Sequence, residues 1–115
     1  MRRHLAGAIS MAVVAALVMA GPAAANEKLV AALKTLGTAV DDMSANISKA
    51  ESDADAELLA KVTREALDNG LKQERPTIDI AASRGFCRVT IETAGWRLWS
   101  EAREGKVVDH GATIH

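Results

Sequence analysis

The chain is 115 residues long and carries 14 Lys and Arg against 15 Asp and Glu, a formal net charge of −1 at pH 7. So even a balance gives no electrostatic footprint for nucleic-acid binding, and so short a chain makes one small domain with a thin core. The single cysteine cannot form an internal disulfide, which leaves packing or a partner to supply stability.

The first residues carry Arg2 and Arg3 and no acid. From Leu5 to Ala20 the residues are apolar or small, Gly21-Pro22 breaks the helix, and Ala23-Ala24-Ala25 offers small side chains to a signal peptidase. Basic, apolar and small-residue regions in that order predict a cleavable secretory signal helix over residues 1–25 and a mature chain beginning at Asn26. As a helix the apolar stretch spans about 24 Å, short of a hydrocarbon core of about 30 Å. Membrane association is therefore expected only through an uncleaved leader. Cys87 is far from the cleavage region, which argues against a lipoprotein. Loss of Arg2 and Arg3 takes the net charge to about −3, with the acids concentrated in the first half of the mature chain. The expected destination is the periplasm or the extracellular space, and the alanine-rich leader suggests a bacterial source.

Residues 27–48 read as an amphipathic helix. Leu29, Leu33, Leu36, Val40, Met43 and Ile47 recur at spacings of four and three and form one stripe, with Lys28, Lys34, Asp41 and Asp42 off it. Gly37 weakens the middle by about 1 kcal/mol relative to alanine, so the helix needs tertiary contacts. After a polar turn, Ser52 or Asp53 can cap a second helix over residues 54–70, with Asp55 and Glu57 placed favourably in its first turn. Leu58, Leu59, Val62, Ala66 and Leu67, with Leu71 beyond, make its expected buried face, and Asn69-Gly70 is its stop. A short link between two amphipathic helices predicts an antiparallel hairpin.

After Arg75-Pro76 the period changes to two. Strands are expected over residues 77–82, 86–92, 96–102 and 106–110, with turns at Ser83-Arg84-Gly85, Thr93-Ala94-Gly95 and Arg103-Glu104-Gly105. Cys87, Val89, Ile91, Trp96 and Leu98 point one way; Arg88, Thr90, Glu92, Arg97 and Trp99 point the other. Residues 111–115 have no assignment from the pattern. The expected fold class is α+β: a helical hairpin on one face of a three- to four-stranded antiparallel meander, as one domain over residues 26–115.

The outer sheet face is the candidate site. An indole at Trp99 flanked by Arg88 and Arg97 could bind an anionic or aromatic ligand or anchor a protein partner, because Trp and Arg dominate interface hot spots. Against this stands an ordinary cluster in which arginine stems cover the indole within the monomer. Cys87 reads as a small buried residue, with an intermolecular disulfide or reactive thiol as its alternative. His110 and His115 could hold zinc or copper if Gly111 turned the chain, although five-residue spacing on a straight strand puts them on opposite faces. The run Asp53-Ala54-Asp55-Ala56-Glu57 opens like a calcium loop, but Leu58 and Arg64 stand where glycine and a bidentate carboxylate are needed.

No nucleophile elbow, metalloprotease helix or phosphate loop is present in the sequence. The reading is a small exported, non-catalytic binding module without a cofactor. Its expected partner is another envelope protein or a small anionic ligand, with homodimerisation through leftover apolar surface also open. The alternatives are a subunit of an envelope assembly held by the first helix's stripe, and a ligand or metal carrier using the C-terminal histidines.

Overall fold

The computed structural model describes residues 25–115; residues 1–24, on which the expected leader falls, lie outside that description. Two helices pack against one face of a four-stranded antiparallel sheet. Helix α1 spans Ala25–Ser48 and α2 spans Asp53–Gly70, followed by a short 3-10 turn at Lys72–Glu74. The strands are β1 (Thr77–Ser83), β2 (Phe86–Glu92), β3 (Trp96–Arg103) and β4 (Lys106–Ile114), adjacent in chain order. Among the described residues no helix is long and apolar enough to cross a membrane.

The α1 stripe is buried as its spacing predicts: Leu33, Leu36, Val40, Met43 and Ile47 lie in the core, and Leu29 packs against it half-buried. The stripe therefore faces the sheet, chiefly β3 with β2 and β4 on either side. Of the two candidate caps for α2, Ser52 is the one used, its Oγ accepting from the Asp55 N–H at 3.1 Å. The helix ends at Gly70, and the Leu71 N–H closes it on the Leu67 carbonyl at 2.9 Å.

The buried face of α2 holds part of the expected set, with Leu67 and the following Leu71 buried and Leu59 and Ala66 half-buried, but Leu58 and Val62 depart from it. Ala56, Thr63, Leu67 and Gly70 are buried, whereas Leu58 is 62% exposed and Val62 is 36% exposed. The helix lies on β1, and it turns the small Ala56, Thr63 and Gly70 inward around the fully buried Leu67, with Leu59 packed half-buried against the core. The Leu58–Val62 row sits roughly a third of a turn away, on the solvent side. Two further contacts fix this placement. Arg64 Nη1 donates to the Ile78 carbonyl at 2.6 Å, and Asp53 Oδ1 accepts from the Arg84 N–H at 2.8 Å.

In the sheet, Ile78, Cys87, Val89, Ile91, Trp96 and Leu98 point toward the helices and are buried. The β3–β4 turn is a two-residue connection in which Glu104 (φ 51°) and Gly105 (φ 84°) are both left-handed, the geometry that matches strand twist. The second correction concerns β4. It does not stop near His110 but continues to Ile114, pairing Trp99 with Gly111, Leu98 with Ala112 and Trp96 with Ile114. Gly111 therefore does not turn the chain. It is a strand residue kept bare by the indole above it. The register shifts once, between the Glu101–Asp109 and Ala102–Val107 pairs, which makes Val108 the extra residue of a bulge.

Candidate functional site

The outer face of the sheet is built by the odd–even alternation of β2, β3 and β4. Cross-strand partners on it are Arg88 with Glu101, Thr90 with Trp99, and Glu92 with Arg97. Arg97 and Trp99 are thus same-face neighbours on β3, and Arg88 lies diagonal to Trp99 on β2. All three expected site residues share one face that neither helix covers.

The indole of Trp99 lies across Gly111 so closely that any Cβ at that position would collide with the ring. Its Nε1 donates to Asp109 Oδ2 at 3.2 Å, and the Arg97 guanidinium carbon stands 5.7 Å from the ring centroid. Arg97 Nε is also 3.7 Å from Glu92 Oε1, and the other carboxylate oxygen of Glu92 bonds His115 Nε2 at 2.6 Å. At the opposite end Arg103 stacks over Phe86 at 4.8 Å and pairs with Glu101 at 3.3 Å. Arg88 is exposed and has no carboxylate within 4.0 Å among the described residues. The face therefore offers a half-buried indole in a fixed orientation, one guanidinium resting on it and a second that no carboxylate engages among the described residues.

The C-terminal histidines are separated by the sheet. His110 points inward, its Nδ1 2.8 Å from Asp41 Oδ2 on α1, whereas His115 is on the outer face with Glu92. Among the described residues no group of three or more His, Cys, Asp or Glu side chains converges on a point. Cys87 is fully buried on the inner face, and burial pushes its thiol from 9.0 up to about 12.

Sequence reasoning placed Glu92 on the outer face with Arg88 and Thr90, as its pairing with Arg97 bears out, but missed Asp109, Gly111 and His115 there. Extending the two-residue period of β4 through the turn-like glycine would have found Gly111 and His115, whereas the face of Asp109 follows from the bulge at Val108. Protein-family models, curated proteins and solved structures were compared with the chain, and none matches it.

Proposed function

We propose that the chain is a small exported binding module without a catalytic role, and that its working surface is the sheet face around Arg88, Arg97 and Trp99. Export rests on the order of basic, apolar and small residues before Asn26. The observation that carries the binding role is Arg88: among the described residues it has no carboxylate partner, and it lies diagonal to an indole that Gly111 and Asp109 already hold in place. A rigid aromatic anchor with a spare guanidinium loses little conformational freedom on contact, which favours affinity. The partner that suits it presents a carboxylate or phosphate next to an apolar edge, as an envelope protein or a small anionic ligand would.

Position-specific photocrosslinking in exporting cells tests the reading. A crosslinker replacing Arg88 is expected to give a discrete adduct that disappears when Arg97→Glu is added. The same crosslinker at Glu65, on the exposed side of α2, should give none. Equal labelling at both positions, or an Arg88 adduct indifferent to Arg97→Glu, would remove the sheet face as the working surface. Intact mass of the exported chain reports the leader independently, with Asn26 expected as the first residue.

A further inference from the structure

Strand β4 is a sheet edge, and its free side has a defined hydrogen-bonding pattern. The His115 N–H donates to the Gly95 carbonyl at 3.0 Å, in register with the Trp96–Ile114 pair. Antiparallel pairs alternate between bonded and non-bonded positions. Asp109, Gly111 and Thr113 therefore bond β3, while His110, Ala112 and Ile114 direct their N–H and C=O groups away from it. The edge at β1 differs, because Arg64 of α2 reaches over it to the Ile78 carbonyl. Free edges are usually blunted by bulges, inward charges or cover. In β4 the bulge at Val108 disrupts only the first part, and from Asp109 to His115 the strand is regular and free of proline.

We propose that this segment pairs with a second copy of the same chain, antiparallel about a two-fold axis at Ala112, so that the two sheets become one. The register follows from the pattern. Ala112 faces the second copy's Ala112, and His110 faces the second copy's Ile114 in both directions. Every edge-facing backbone group past the bulge then finds a partner, roughly six hydrogen bonds in all. Centring on His110 would set Ala112 against the bulged Val108, and centring on Ile114 would leave His110 without a partner.

Side chains agree with that register. On the outer face, Asp109 is brought opposite the second copy's His115, and the symmetry repeats the complementary pair. On the inner face, a groove of about 370 Å³ runs between α1 and β4, lined by Val30, Leu33, Gly37, Ala112 and Ile114 among others. Val30 is 52% exposed and Ile114 40% exposed along it. The same axis sets the two α1 helices antiparallel above the joined edges. It closes the groove from the side and directs Lys34 toward the second copy's Asp41, both being groove residues.

Sedimentation equilibrium of the mature chain, from micromolar concentration upward, is expected to give a dimer. Ala112→Pro removes an N–H that bonds nothing among the described residues, so it should yield a folded monomer with β3–β4 intact. A covalent reporter guards against strain from the proline ring. In the proposed register the two Ala112 Cα atoms are about 5.5 Å apart, within disulfide range. Ala112→Cys should therefore oxidise to a crosslinked dimer, while Val107→Cys, before the bulge, should not. A native chain that stays monomeric overturns the proposal. So does a dimer that withstands Ala112→Pro and crosslinks no better at position 112 than at 107.

Discussion

Ser44 on α1 and Ser100 on β3 share a buried hydrogen bond of 2.7 Å across 56 residues of sequence. Ser44 Oγ also donates to the Asp41 carbonyl at 3.1 Å, which leaves the Ser100 hydroxyl to donate to Ser44. The bond is the middle of a row along one flank of α1. Asp41 meets His110 at 2.8 Å, and Ser48 Oγ accepts the Gly105 N–H at 2.8 Å. Spacings of three and four put these side chains on one flank, beside the apolar stripe, where they fix α1 against the β3–β4 hairpin.

Because one hydroxyl depends on the other, the two truncations should be unequal. Ser44→Ala leaves the buried Ser100 hydroxyl without an acceptor and is expected to cost about 1–3 kcal/mol. Ser100→Ala should cost less, since Ser44 keeps the Asp41 carbonyl. The double variant should be more stable than the sum of the single losses implies. Urea titration of the four chains measures this. Strict additivity would mean that the bond contributes nothing in solution.

Cys87 should be silent toward thiol reagents. Burial alone raises its thiol to about 12, so little thiolate forms in the folded protein near neutral pH. A disulfide-exchange reagent at pH 8 should label it only as fast as the domain unfolds, and completely in denaturant. The sign for stability follows from the raised value. The unfolded thiol ionises near 9 and the folded one does not, so stability is intact below that pH. It falls above it, by at most about 1.4 kcal/mol per pH unit. In alkaline melts, Cys87→Ala should lose part of that slope. Rapid labelling under native conditions would place the thiol at the surface.

The sheet was legible because period-two alternation is unambiguous when one face is buried: Val89, Ile91, Trp96 and Leu98 alternate with Arg88, Thr90, Glu92, Arg97 and Trp99. The same logic found Arg88, Arg97 and Trp99 on one face. It stopped at Gly111, since a glycine after a short strand signals a turn as readily as close packing, and only the indole of Trp99 distinguishes the two. For α2 the error was physical rather than statistical. Hydrophobicity ranks Leu58 and Val62 as core with Leu59, Leu67 and Leu71, but the helix resting on the sheet edge buries Ala56, Thr63 and Gly70 beside Leu67 and turns Leu58 and Val62 to solvent. The serine row on α1 was illegible for a related reason, because Ser44 and Ser48 carry no signal until β3 and β4 are placed beneath them.

That rotation of α2 gives a direct test. Leu58→Lys and Val62→Lys, singly, should change stability by no more than about 0.5 kcal/mol, as surface substitutions do. Leu67→Ala, at a fully buried position, should cost about 2–5 kcal/mol. Had the more hydrophobic row been the core face, the two lysine variants would be the damaging ones. Thermal melts of the three variants separate the arrangements.

Gly111 and Trp99 should show a reversal of sign. With the indole in place, Gly111→Ala puts a methyl group into the ring, which must leave its seat and release the Nε1 bond to Asp109. A loss of about 1–3 kcal/mol is expected, as for other overpacked sites. The emission of Trp99 should shift to the red while that of buried Trp96 stays where it is. In a Trp99→Ala background the obstruction is gone. There the same Gly111→Ala change replaces a strand glycine and should stabilise the protein by up to about 1 kcal/mol. Trp99→Ala alone also uncovers Gly111, so its effect on stability does not report binding by itself, and Arg97→Glu is the cleaner probe of the sheet face. If Gly111→Ala proves destabilising to the same degree in both backgrounds, the glycine answers to the backbone of β4 and not to the ring.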